Sequence, residues 1–148
     1  MIIEKKVNAL IEELRTNEVA WTISDIANHL NILIAYNEEL SCIMYYRDCP
    51  IIYLKNSDTL TMWEEFTHEL GHYVLHDTNQ RTMDDMFNEK QEHEADKFSR
   101  LFRMPQTDIE EHELFTQDKL IEFFRVTYED AHKRLQLLVN QYSSEGAY

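Results

Sequence analysis

Residues 66–76 read Phe-Thr-His-Glu-Leu-Gly-His-Tyr-Val-Leu-His and contain the pattern H-E-x-x-H. On an α-helix, side chains four residues apart lie one above the other, so His68 and His72 can direct their imidazoles at one metal ion. Glu69 lies about 100° around the helix from His68, and it can therefore reach a water molecule on the metal without becoming a ligand. The stretch predicts a helix that carries two metal ligands and a catalytic base.

A third ligand must come from elsewhere in the chain, because a catalytic zinc ion usually has three protein ligands and a fourth position for water. Glu92 is the best candidate, since it begins the pattern E-x-x-A-D at residues 92–96. Asp96 shares its helical face and can accept a hydrogen bond from the second ring nitrogen of a ligand histidine, which fixes the tautomer of that ring. The predicted zinc ligands are His68, His72 and Glu92.

His76 is a rival ligand, because it continues the four-residue spacing of the other two histidines. Two helical turns separate His68 from His76 by about 12 Å along the axis, which is too far for one ion. We therefore expect His76 to line the pocket or to contact a substrate. His93 and Glu94 project to other sides of their helix than Glu92, and we expect both to face solvent.

The sequence around these motifs predicts an α+β fold, mostly helical and zincin-like. A small antiparallel three-stranded sheet is expected to pack on the H-E-x-x-H helix. The predicted strands are Ile32–Tyr36, Cys42–Tyr46 and Ile51–Leu54. The predicted helices are 2–15, one capped by Thr22 or Ser24, 59–76, 89–103, 107–125 and 128–142, with an exposed connection at 77–88. Gly71 is expected to let another backbone approach the metal helix closely.

The length of 148 residues predicts a single domain with one core. Within it, residues 1–105 are expected to form the helix, sheet and metal core, and residues 106–142 a C-terminal helical part. Residues 143–148 are expected to form a frayed tail.

The chain is strongly acidic, with 28 acidic and 14 basic residues and a net charge of −14. Such a surface repels phosphate backbones, so direct binding to nucleic acid is not expected, whereas a basic protein partner is favoured. Solubility alone is an equally good explanation of the charge. Residues 22–30 resemble the first part of a helix-turn-helix, and residues 120–131 resemble a helix-turn-helix, but neither these nor the wider range 116–142 has a basic reading face, which favours a packing role.

The location predicted from the sequence is the cytoplasm of a bacterial host. The first residues lack the charged-then-apolar order of a signal peptide, and no apolar run is long enough to span a membrane. Cys42 and Cys49 do not have the C-x-x-C spacing, and we interpret them as reduced packing residues.

The residues at 68–76 and 92–98, followed by Met104-Pro105, resemble those of the ImmA/IrrE family of bacterial and phage zinc metallopeptidases. The resemblance covers most of the chain, and 51–105 is its specific portion. It implies that His68, His72 and Glu92 bind zinc and that Glu69 is the catalytic base. The family commonly has Asn where Asp96 stands and Ala where Ser99 stands.

The resemblance also implies a biological role, which is cleavage or inactivation of a helix-turn-helix repressor of a prophage or mobile element. The alternative is a non-proteolytic anti-repressor that keeps the zinc fold and sequesters its partner. The presence of Glu69 favours the enzyme, since a pure binding module has no need of a catalytic base. The strand at Ile51–Leu54, if it lies at the sheet edge, could pair with an extended substrate.

Overall fold

The structure is a computed structural model that describes residues 2–76 and 85–145. It consists of two compact units, residues 1–102 and 103–148. The first unit contains α1 (Ile2–Thr16), α2 (Ile23–His29), β1 (Leu33–Asn37), β2 (Cys42–Tyr46), β3 (Cys49–Lys55) and α3 (Thr59–Leu75), and α4 (Asp85–Arg103) ends at the boundary. The second contains α5 (Gln106–Glu111), α6 (Gln117–Phe124) and α7 (Tyr128–Glu145). The predicted α+β class is confirmed.

Strands β2 and β3 form the antiparallel hairpin that the sequence predicts. Tyr46 lies opposite Cys49, so the loop consists of Arg47 and Asp48 alone. Both loop residues have positive φ, 50° and 66°, as a type I′ turn requires. The predicted strands leave residues 47–50 between them, but Cys49 and Pro50 already belong to β3, so the turn is two residues shorter than predicted.

The expectation of a wholly antiparallel sheet is wrong, because β1 pairs with β3 in parallel and the strand order is β1-β3-β2. Residues 38–41 carry the chain past the end of β3 to its other side. Asn37 stabilises this crossing, since its Oδ1 accepts hydrogen bonds from the N–H groups of Glu39 and Leu40 at 2.8 and 2.9 Å. The N–H of Asn56 donates to the Asn37 carbonyl at 2.8 Å and ties the crossing to the end of β3.

Several predicted helix boundaries are also wrong. The single helix expected at 107–125 is divided into α5 and α6, because Glu113 has a φ of 53° and the Thr116 side chain accepts from the N–H of Lys119 to begin a new helix. Helix α7 continues to Glu145, three residues into the predicted tail.

Helix α4 begins at Asp85, four residues before its predicted start, so part of the predicted connection is helical. The rest of that connection, residues 77–84, and the last three residues of the predicted tail lie outside the described residues.

The core of the first unit lies on the face of α3 opposite its histidines. Phe66 and Leu70 are completely buried there. Phe102 stacks on Trp21 with ring centroids 4.9 Å apart and on Phe98 at 5.9 Å. Since this face of α3 is occupied by packing, the opposite face is left for the site.

The second unit has its own core and a buried ion pair. Its apolar cluster consists of Met104, Ile109, Leu114, Leu120, Ala131 and Leu138. Beside it, Arg103 Nη1 donates to Asp130 Oδ2 at 2.9 Å, and both side chains are buried. The buried Arg134 donates through Nε to the Met104 carbonyl at 2.9 Å.

Cys42 and Cys49 lie in β2 and β3 and are not joined by a disulfide. In the sheet register Cys42 lies opposite Tyr53 and Cys49 opposite Tyr46, so the two thiols are not cross-strand neighbours. Within residues 2–76 and 85–145, no helix combines the length and the apolar character needed to cross a membrane.

Candidate metal centre

Helices α3 and α4 approach each other closely at Gly71. A Cβ atom at this position would lie 3.1 Å from the carbonyl oxygen of Ala95 and 3.1 Å from Cβ of Phe98. A methyl group here would require these neighbours to shift by a few tenths of an ångström, so Gly71 allows the close approach expected from the sequence. One helical turn away, the buried hydroxyls of Thr67 and Ser99 are 2.6 Å apart and link the same two helices. This contact sets the distance between the histidines of α3 and the carboxylates of α4.

Three of the predicted site residues converge across this interface. His68 Nε2 lies 2.8 Å from Glu92 Oε2, and His72 Nε2 lies 2.8 Å from Glu92 Oε1. One ligand atom from each of the three residues lies within 4.8 Å of the others, so together they could hold one metal ion. Two imidazole nitrogens and a carboxylate oxygen are a donor set that suits Zn2+.

Asp96 contacts the other side of the His68 ring, with Oδ1 2.7 Å from Nδ1. Burial disfavours a charge on His68, but the hydrogen bonds to Asp96 and Glu92 outweigh burial and raise its pKa to about 10. The hydrogen bond to His68 also holds the pKa of Asp96 below its usual range. The hydrogen bonds to His68 and His72 likewise hold the pKa of Glu92 below its usual range. In the metal-free protein the carboxylates therefore stabilise a charged His68.

The metal-free protein is expected to lose stability as the pH rises from 6.5 to about 10. Folded His68 binds its proton more tightly than unfolded His68, so its contribution is complete below the unfolded pKa of 6.5 and is lost as the pH rises through the folded pKa of about 10. Urea unfolding in the presence of a chelator, measured at intervals across this range, gives the slope. His68→Gln should reduce the slope, whereas His93→Gln, at an exposed position on α4, should not. An unchanged slope in His68→Gln would contradict the assignment.

Glu69 is buried on α3 beside the two histidines. Burial raises the pKa of its carboxyl above the usual value, although the charges of His68 and His72 oppose the rise. A carboxyl group with a raised pKa exchanges protons more readily near neutral pH, which is the property of a general acid or base.

His76 lies outside the group of three that could hold a metal. Its Nδ1 is 3.1 Å from Nδ1 of His72, and its Nε2 is 2.9 Å from Oε1 of Glu94. Burial lowers the pKa of His76. The expectation that Glu94 faces solvent is wrong, because its side chain is half-buried against His76, whereas His93 is exposed as expected.

The carboxylate side of the site opens into a cavity of about 680 Å³. Among the described residues, its lining consists of Asn88, Glu89, Glu92, His93 and Asp96 on α4. The cavity gives solutes a route to the ligand group, and two glutamates and an aspartate make it acidic.

The sequence matches known proteins over the segment that contains this site. Residues 28–136 match the model of the family Peptidase_M78, described as the IrrE N-terminal-like domain. The phage-like element PBSX protein XkdA of Bacillus subtilis (strain 168) is 30% identical over 118 residues, which are 76% of this chain. The chain spans 60% of the length of that relative.

Proposed function

Since the chain belongs to the Peptidase_M78 family through an IrrE N-terminal-like domain, we propose that it is a zinc-dependent endopeptidase of the ImmA/IrrE type. The observation that carries the proposal is the convergence of His68, His72 and Glu92 on one point, with Glu69 buried beside them. In this proposal the three residues hold the ion, and Asp96 orients the His68 ring.

The proposed site gives the bound metal ion and the individual residues separate roles in peptide hydrolysis. Bound zinc would supply a Lewis acid that makes water more acidic. Glu69 accepts the proton of the attacking water and then donates it to the nitrogen of the leaving amine, a transfer for which its raised pKa is suited. His76 is not expected to stabilise the oxyanion that forms when water adds to the scissile carbonyl, because its two ring nitrogens contact His72 and Glu94.

An extended substrate could pair with a free strand edge near Glu69. The expectation that Ile51–Leu54 could provide it is wrong, since β3 lies between β1 and β2. The edge strand β2 contacts α3, and the hydroxyl of Ser41 just before it donates to the Glu65 carboxylate. Glu65 lies one turn before Glu69, so we assign substrate pairing to β2.

The proposed substrate is a basic helix-turn-helix repressor of a prophage or mobile element, whose cleavage relieves repression. Two observations support it. The net charge of −14 favours encounter with a basic protein. The relative XkdA is named as a protein of a phage-like element.

The proposal is tested by measuring zinc and proteolysis together. Purified protein is expected to contain one Zn2+ per chain by mass spectrometry. Incubated with a purified helix-turn-helix repressor encoded by the same mobile element, it should give fragments that disappear with a chelator and return with added Zn2+. A stable complex with an intact repressor would show instead that the protein acts as a non-proteolytic anti-repressor.

A further inference from the structure

A chain of hydrogen bonds runs from the ligand His72 away from the metal position to the surface. His72 Nδ1 is 3.1 Å from His76 Nδ1, and His76 Nε2 is 2.9 Å from Glu94 Oε1. The side chains become more exposed along this hydrogen-bonded series, from 3% for His72 to 7% for His76 and 35% for Glu94. The contact between the two Nδ1 atoms requires one ring to donate and the other to accept.

Glu94 decides which ring donates. A carboxylate only accepts hydrogen bonds, so the proton of neutral His76 lies on Nε2 and its Nδ1 carries a lone pair. His72 must then donate from Nδ1. The opposite direction would leave a bare His76 Nε2 facing a carboxylate oxygen, which is repulsive. In the metal-free protein Glu92 Oε1, 2.8 Å from His72 Nε2, also favours a proton on that nitrogen, whereas a metal ion bound at Nε2 would take the place of that proton and leave Nδ1 as the donor to His76.

We propose that Glu94, acting through His76, fixes His72 in the tautomer whose Nε2 can bind a metal, so that both are positioning residues of the metal centre. The inference rests on the proposed function only in taking His72 as a ligand. It gives each ligand histidine an acceptor at Nδ1, which is Asp96 for His68 and His76 for His72.

The two arrangements differ because the two histidines differ in burial. Asp96 can reach the more exposed His68 while half of its own side chain remains in solvent. A carboxylate placed directly against the buried His72 would itself be buried, near Glu69 and Glu92, and an additional buried negative charge is costly. A neutral imidazole extends the reach of Glu94 and lets its carboxylate stay closer to solvent.

The effect of a hydrogen-bond acceptor at position 94 is tested by comparing Glu94→Gln with Glu94→Met. The two variants have the same charge and similar side-chain volumes. The glutamine oxygen can accept from His76, and the methionine thioether accepts only weakly. Competition with a chromophoric chelator for Zn2+ should show affinity near wild type for Glu94→Gln. Glu94→Met should bind Zn2+ about 10–100-fold more weakly, the usual effect of losing such a partner. Equal affinities would overturn the proposal.

A hydrogen-bond donor at position 94 should reverse the direction in which each hydrogen bond of this series donates. In Glu94→Lys the ammonium would donate to His76 Nε2, His76 would donate to His72, and the proton of His72 would move to Nε2. Glu89→Lys makes the same charge change on the same helix, at a position that lines the cavity beside Glu92. Zn2+ affinity should fall at least about tenfold further in Glu94→Lys than in Glu89→Lys. Equal losses would mean that charge alone explains the effect.

The tautomer is read directly by NMR on protein with 15N-labelled histidine. His76 should carry its proton on Nε2 and not on Nδ1, in both the metal-free and the Zn2+-loaded wild type. A proton on His76 Nδ1 would overturn the proposal whatever the affinities. A wild type that binds Zn2+, shows this tautomer and cleaves no repressor would count against the proposed peptidase function and leave the positioning role standing.

Discussion

Glu69→Gln is expected to reduce repressor cleavage by about 10²- to 10⁴-fold, the usual contribution of a general acid–base group. Glutamine has nearly the same shape as glutamate, but its amide cannot take the proton of the attacking water. Because Glu69 is not one of the three converging ligand residues, the variant should bind Zn2+ as tightly as wild type. Fragment formation over time, followed by gel electrophoresis at matched zinc content, measures the loss.

Glu64→Gln is the matched control, since Glu64 is an exposed glutamate on the same helix. It should cleave at the wild-type rate. Derepression in cells should be lost in Glu69→Gln together with the fragments. Full derepression by Glu69→Gln with an intact repressor would contradict the proteolytic function and favour sequestration of the repressor.

Asp130→Asn is expected to lower the free energy of unfolding by about 3–5 kcal/mol. The substitution removes the negative charge that lies against the buried guanidinium of Arg103, and breaking a buried ion pair by removing one of its charges is strongly destabilising. Chemical denaturation monitored by circular dichroism at pH 7 gives the difference.

The neighbouring Glu129 provides the comparison, because it forms a solvent-exposed ion pair with Lys133 at 2.9 Å. Glu129→Gln should cost under about 1 kcal/mol, as exposed pairs usually do. Similar small losses for both variants would show that the Arg103–Asp130 pair is effectively solvated.

The strands themselves follow from the sequence, but their order does not. Local alternation predicts the strands, and the short turn at Arg47-Asp48 favours pairing of β2 with β3. The parallel pairing of β1 with β3 depends on the path of residues 38–41, where the Asn37 side chain and the Asn56 N–H close the crossing. A side chain that bonds its own loop gives no periodic signal, so the antiparallel arrangement could not be ruled out in advance.

The candidate site was easier to predict than the sheet, because its parts follow helical spacing. The four-residue spacing of His68 and His72, and of Glu92 and Asp96, places each pair on one face before any tertiary structure is known. Glu94 was missed because helical angle fixes the direction of Cβ, whereas a glutamate side chain is long enough to reach around its helix. The signal that could have found it is His76, since a histidine next to a buried ligand histidine needs an acceptor of its own.

Gly71 has a consequence for the order in which the protein folds. Glycine within a helix costs about 1 kcal/mol relative to alanine, and most of the stability of a helix in a protein comes from the packing of its apolar face. Gly71 allows α4 to pack closely through Ala95 and Phe98, and this packing compensates for the cost of a glycine within α3. Helix α3 should be only partly helical as an isolated peptide and should become ordered when α4 docks. The ligands of α3 and α4 come together only when the two helices dock, so helix docking and metal binding are coupled.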